Sequence, residues 1–180
     1  MGAGKSSVGR RLAELLGWAF EDLDERVEAR EQRKVYEIFR DSGEAAFRSA
    51  ERAALEELLS EVRAGARKIV ALGGGAFAQK QNAKLLENAG LSTVFLDADV
   101  NELWRRCQKQ AERERVERPL LSSLPTFREL YKARKRHYAR ALLTHSTDGK
   151  EINEIARELL EVLSLRRPEP RIPGKRGEKS

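Results

Sequence analysis

The stretch MGAGKSSVGRR, residues 1–11, decides the fold. Gly2, Gly4, Lys5 and Ser6 match the second half of the pattern G-x-x-x-x-G-K-[ST], in which backbone N–H groups cradle nucleotide phosphates and the lysine reaches the β and γ groups. Glycines let amides approach phosphate oxygens without a Cβ in the way, the N-terminus of the following helix adds a positive dipole, and the serine hydroxyl can ligate Mg2+. Gly2, Ala3, Gly4, Lys5, Ser6 and Ser7 are therefore the candidate nucleotide-binding residues, with Ser6 also a candidate metal ligand. A glycine-rich chain end without function is the competing reading. The amphipathic run Val8, Leu12, Leu15 and Leu16 directly behind the loop argues against it.

The motif's setting is strand, loop, helix. Counting back from Lys5, its first glycine would fall two residues before Met1, and the apolar strand that should deliver the chain to the loop is missing as well. Two explanations stay open: a start assigned about ten residues late, which we favour, or a truncated chain with lowered stability and little activity.

A chain of 180 residues suits one domain with a tail and can bury a real core. Its apolar runs fall far short of the roughly 20 residues a bilayer requires, and no charged-then-apolar leader precedes the first motif. The single cysteine, Cys107, cannot form an internal disulfide, which suits a reducing cytoplasm. A net charge of +6 invites thoughts of nucleic acid, but residues 166–180, RRPEPRIPGKRGEKS, carry +4 of it together with three of the five prolines. That segment reads as a basic disordered tail, the body is left with about +2, and no specific nucleic-acid or membrane partner is expected.

Helical and extended patterns alternate along the body, as in an α/β protein with a mainly parallel sheet. The first helix ends at Gly17, WAFEDLD is a short strand with acidic residues at its end, and residues 25–63 are helical with a break near Gly43. KIVAL is a buried strand that opens into Gly73, Gly74 and Gly75. A helix over residues 82–89 follows, then STVFLDA as a strand and a helix over residues 99–110. AERERVERPLLSSLP has the composition of a mobile loop, a helix runs from Thr126 to about Leu143, LLTHST is a weak strand, and a last helix carries Ile152, Ile155, Ala156, Leu159, Leu160 and Leu163.

Asp22 and Asp24 alternate to one side of their strand at its C-terminal end, where open α/β sheets bind ligands. One could organise a metal while the other accepts a hydroxyl proton, or Asp24 could simply cap a helix. Arg48 could hold an anion or pair with Glu44 or Glu51 on its own helix. Arg134 falls within the apolar stripe Phe127, Leu130, Tyr131, Tyr138, Ala141 and Leu142, where it needs either an internal acid or a ligand carboxylate held by both arms of its fork. Three consecutive glycines after a buried strand exceed what a tight turn needs and permit close approach of a ligand. Arg118, before Pro119 in the charged loop, could close over phosphates.

Taken in order, GAGKSSVGRRLAELLG, EDLDERVE, IF followed by GEAAFRSAE, ALGGGAF, and RPLL followed by a helix with Arg134 four residues before Tyr138 resemble the shikimate kinase family over about residues 1–163. The resemblance implies a P-loop NTPase fold, nucleoside-monophosphate-kinase-like, with a five-stranded parallel sheet, a substrate-binding helical region at about 25–63 and a lid at about 108–124, all within a kinase domain of residues 1–165. It implies transfer of the γ-phosphoryl group of ATP to the 3-hydroxyl of shikimate, with Mg2+, by a cytoplasmic monomer in aromatic amino-acid biosynthesis. Carried over residue by residue, Lys5 would bind phosphate, Ser6 and Asp22 would serve the metal, and Asp24 would contact shikimate and favour deprotonation of its hydroxyl. Arg48 and Arg134 would grip the shikimate carboxylate, Gly74 and Gly75 would line the ring, and Arg118 would reach the phosphates. Catalysis would thus rest on Lys5, Asp24 and Arg118. For the arginine that stacks on adenine, Arg106 and Arg113 are candidates. A gluconate-kinase-like enzyme, or a nucleotide-binding protein impaired in turnover, are the alternatives.

Overall fold

The computed structural model describes residues 2–114 and 123–165. Arg118, residues 115–122 of the expected lid and the expected basic tail lie outside them. Within the described residues the chain runs α1 (Lys5–Leu16), β1 (Ala19–Asp22), α2 (Leu23–Glu31), α3 (Val35–Arg63), β2 (Lys68–Ala71), α4 (Lys80–Asn88), β3 (Val94–Asp97), α5 (Val100–Glu114), α6 (Leu124–Tyr138), β4 (Leu143–Ser146) and α7 (Ile152–Leu165). This is the expected α/β alternation.

Local chemistry sets the element boundaries. At the end of α1, Gly17 adopts a left-handed conformation, φ 64°, and the N–H of Trp18 reaches back to the Ala13 carbonyl while that of Gly17 reaches Glu14, a Schellman closure. β1 ends at Asp22, one turn of chain earlier than the WAFEDLD pattern suggests, because the Asp22 side chain caps α2 by accepting from the Asp24 N–H at 3.1 Å. The capping residue is therefore Asp22, and Asp24 sits in the first helical turn. The expected break at Gly43 is present, with φ 79° and ψ 174° inside α3, and a further break at Gln32, φ 53°, separates α2 from α3.

Two expectations are corrected. α5 continues through residues 111–114, where AERE, dense in helix formers, extends the helix despite its charge. α6 stops at Tyr138, so Ala141 and Leu142 lie past its end and Leu142 is 54% exposed. The reason is that Leu143 already belongs to β4 and donates its N–H to the Thr93 carbonyl at 3.1 Å.

β1 pairs with β2 in parallel from Ala19 opposite Lys68 to Asp22 opposite Ala71, and β3 pairs with β4 in parallel from Val94 opposite Leu143 to Asp97 opposite Ser146. The four strands form two separate two-stranded sheets, not one five-stranded sheet. One core gathers Val8 and Leu12 of α1, Leu96 of β3, Leu103 of α5, Phe127 of α6 and Leu159 of α7. The other gathers Val27 of α2, Phe47, Ala54 and Leu55 of α3, and Leu86 of α4. Arg26 of α2 links the second core to the sheet, 2.5 Å from both Glu21 and Glu61, and this pairing with Lys68 nearby pulls the Glu61 carboxyl down to about 2.

Phe47, 3% exposed, stacks on Phe39 with ring centroids 4.5 Å apart and holds the turn of α3 that carries Arg48. Phe47→Ala should cost about 3–5 kcal/mol, read as a lower midpoint of urea unfolding.

Candidate active site

The phosphate loop is seated by close packing. Gly2 and Gly4 have φ of 65° and 75°, the left-handed region that turns successive N–H groups to one side, and α1 begins immediately after them. A Cβ on Gly2 would lie 2.5 Å from the Leu103 carbonyl oxygen and 2.9 Å from the Cys107 sulfur, so the loop rests directly on α5. Ala3 beside it is buried.

At the foot of the loop the Ser6 hydroxyl donates to Asp22 Oδ2 at 2.8 Å, while Asp22 Oδ1 is occupied by the cap of α2. Asp22 thereby ties the start of α1 to the start of α2. Among the described residues no cluster of three or more His, Cys, Asp or Glu could hold a metal unaided. A hydroxyl and a carboxylate side by side are hard oxygen donors, the kind of partial shell that Mg2+ completes with phosphates and water.

The three-glycine turn after β2 lies flush against this corner. A Cβ on Gly73 would sit 2.6 Å from Asp24 Oδ1, and one on Gly75 would sit 2.5 Å from Arg48 Nη2. A side chain at either position would have to displace the Asp24 carboxylate or the Arg48 guanidinium. Asp24 is partly buried, and that burial, with the Asp22 carboxylate beside it, holds its pKa above the ordinary aspartate value even though the charges of Lys5 and Arg48 pull it down. Lys5, Asp22 and Arg48 thus all lie close enough to act on Asp24.

Arg48 forms both of the ion pairs that the sequence offered as an alternative to ligand binding. Its Nη1 lies 3.0 Å from Glu51 Oε2 and its Nη2 lies 3.1 Å from Glu44 Oε1. The two partners differ, since Glu51 is 1% exposed and Glu44 69%. Burial raises the pKa of Glu51 against the pull of Arg48, and Gln79 steadies its carboxylate with a hydrogen bond of 2.6 Å.

Arg134 is linked to the same turn through Tyr138. Tyr138, one helical turn further along α6, donates its hydroxyl to the Gly74 carbonyl and packs its ring on Phe95 at 5.1 Å. Arg134 acts on that hydroxyl, opposing the burial that raises the pKa of Tyr138. Arg48 meets Gly75 directly, and Arg134 acts on the Tyr138 hydroxyl that bonds Gly74.

On the nucleotide side, a cavity of about 220 Å³ opens beside the loop, lined by Ala3, Gly4, Ser7, Arg106, Lys150 and Ile155. Arg106 is fixed there by Glu102 at 2.7 Å and by the Thr147 hydroxyl and carbonyl at 3.2 and 3.3 Å. The side chain of Arg113 lies outside what is described, as does Arg118. The sequence by itself gives Glu51, Gln79 and Tyr138 no role at the site. For Glu51 the signal was its i+3 spacing from Arg48, whereas the contacts of Gln79 and Tyr138 cross elements and leave no local trace.

A family model for shikimate kinase matches residues 1–164. A shikimate kinase of Persephonella marina is 36% identical over 161 residues, covering 89% of this chain and 92% of the relative. A solved structure described as shikimate kinase from Acinetobacter baumannii in complex with shikimate superposes with a TM-score of 0.80 at 33% identity, covering 92% of this chain and 90% of that one. A gluconokinase of Sinorhizobium meliloti, at 19% identity and a TM-score of 0.57, covers 92% of this chain and 87% of its own and shares the fold. With its phosphate loop, acidic corner, glycine turn and flanking arginines in this arrangement, the chain belongs to the shikimate kinase family, and it is an ATP-dependent kinase that phosphorylates shikimate in aromatic amino-acid biosynthesis.

Proposed function

We propose the following division of labour for that reaction. The loop amides and Lys5 hold the phosphates of ATP, and Arg106 lines the cavity that takes the adenine. Ser6 and Asp22 would hold Mg2+, which would supply charge neutralisation to the phosphates. Arg48 and Arg134 clamp the shikimate carboxylate, a planar group suited to their planar forks, and Gly74 and Gly75 let the ring lie against the turn. The carrying observation is that Gly73 lies against the Asp24 carboxylate and Gly75 against the Arg48 guanidinium, so one turn borders both groups.

Asp24 is the base. As the 3-hydroxyl oxygen bonds to the γ-phosphorus, the bond to the β–γ bridging oxygen breaks, ADP leaves, and the hydroxyl proton passes to the Asp24 carboxylate. Burial and the Asp22 carboxylate raise its pKa, which makes it a better proton acceptor than an ordinary aspartate, and the charges of Lys5 and Arg48 oppose that shift. Positioning and charge stabilisation carry the rest, as phosphoryl transfer requires. No helix among the described residues is long and apolar enough to cross a membrane. We read the protein as a cytoplasmic monomer that binds neither nucleic acid nor membrane. The direct test is ADP release with shikimate beside gluconate: turnover with shikimate alone supports the reading, and turnover with gluconate overturns it.

Arg134→Ala should raise the shikimate KM on the order of 100-fold, the loss of a charged hydrogen-bonded pair, and leave the ATP KM nearly unchanged. Lys5→Ala should lower kcat by about 10² to 10³ in the same steady-state assay. Asp24→Asn should lower kcat by about 10² to 10⁴ and at the same time raise Tm at pH 7. A raised folded-state pKa means that ionising Asp24 opposes folding, so stability falls as pH climbs above the unfolded value of 3.8, and the asparagine variant escapes that loss. Its Tm advantage should vanish at pH 3, measured by circular dichroism.

A further inference from the structure

β3 ends on an acid, Asp97, at the strand end where open α/β folds bind ligands, yet both of its oxygens are engaged inside the protein. Oδ1 accepts from the Tyr131 hydroxyl and from the Ala98 N–H at 3.0 Å, and Oδ2 lies 2.7 Å from the Lys135 ammonium. Lys135 in turn stands 5.5 Å over the Tyr131 ring, which closes the cluster. Burial and the Asp97 carboxylate raise the Tyr131 pKa, so the phenol keeps its proton and remains a donor at neutral pH. A carboxylate engaged in this way ties the protein's own elements together rather than holding a ligand.

Tyr131 and Lys135 flank Arg134 on α6. Positions 131, 134, 135 and 138 follow i, i+3, i+4 and i+7 spacing, so the four side chains form one stripe along the helix. The two ends of the stripe are tied to different sheets: Tyr131 and Lys135 to Asp97 at the end of β3, and Tyr138 to the Gly74 carbonyl beyond the end of β2. Arg134 sits between the ties. Apolar packing holds the helix mainly near its other end, where Phe127, its one fully buried residue, meets the Trp104 ring at 5.3 Å, while Tyr131 is only partly buried against the same core. Arg134 lies seven residues beyond Phe127, about 10 Å along the axis, so the placement of that stretch depends on its polar contacts.

We propose that Asp97 is a positioning residue for the kinase reaction: through Tyr131 and Lys135 it sets where α6 presents the Arg134 guanidinium to the substrate carboxylate. The inference rests on the reading of Arg134 as one arm of the carboxylate clamp.

The test is Asp97→Asn, which keeps the shape of the side chain and removes its charge, followed by steady-state kinetics and by NMR of the free protein. It should raise the shikimate KM about tenfold and leave the ATP KM nearly unchanged, since a displaced clamp misplaces one substrate only. In the Arg134→Ala background the same change should alter the shikimate KM by no more than about twofold, because the residue through which it acts is gone. The Arg134 Nε–Hε cross-peak should shift while that of Arg48 stays in place. Equal rises in both KM values, additive effects in the double variant or an unmoved Arg134 cross-peak overturn the proposal. If Asp97→Asn fails to fold, Lys135→Met, at a side chain 51% exposed, takes its place with the same readings, and Lys135→Arg should restore the parent values. If Arg134→Ala leaves the shikimate KM unchanged, the carboxylate reading fails on its own, and the cross-peak alone decides whether Asp97 places Arg134.

Discussion

A carboxylate that is 1% exposed needs a cation, and the pairing of Glu51 with Arg48 is the constraint around which this site is arranged. Removing the cation from such a pair costs about 3–5 kcal/mol, because the remaining charge stays buried. Glu51 therefore fixes where the Arg48 guanidinium lies, and Gln79 fixes Glu51. With the guanidinium held, the turn after β2 can close on it only if Gly75 has no side chain. Structural pairing and ligand binding are often set against each other as explanations of an arginine. Here the internal acid positions the fork, and the fork's remaining capacity is what the substrate carboxylate would use.

A second constraint is the tension among charges at the strand ends. Asp22 is committed to structure through its bonds to Ser6 and to the start of α2, whereas Asp24, partly buried beside it, carries the electrostatic cost of two neighbouring carboxylates. Lys5 and Arg48 offset part of that cost. Two acids one residue apart thus acquire different properties, one anchored and low in burden, the other poised to take up a proton. The raised pKa of Asp24 marks an electrostatic cost to the folded state, and bound phosphates and metal would redistribute those charges further.

The third feature is mechanical. The turn of three glycines touches α2 through Asp24, α3 through Arg48 and α6 through Tyr138. Elements from both cores thereby meet at one short segment, although the sheets beneath it are separate. A displacement of α6 relative to α3 would be felt there first.

Read as a sequence alone, the chain determined its α/β alternation, the phosphate loop, the acidic strand end, the glycine run and the identity of the two arginines, because each is encoded in adjacent residues or in spacing along one helix. Boundaries were less legible where two local rules competed: Asp24 could end a strand or cap a helix, and the structure instead ends the strand and caps the helix at Asp22, with Asp24 in the first helical turn. Residues 111–114 looked too charged for anything but a loop, yet charge does not oppose a helix. The tertiary structure alone decided that Arg48 rests against Gly75, that Tyr138 holds Gly74 and that Glu51 and Gln79 lie beneath them. These contacts join residues up to 64 positions apart, and no periodicity records them. Their physical origin is the need to satisfy buried charge and polar groups wherever the packed elements happen to bring them together.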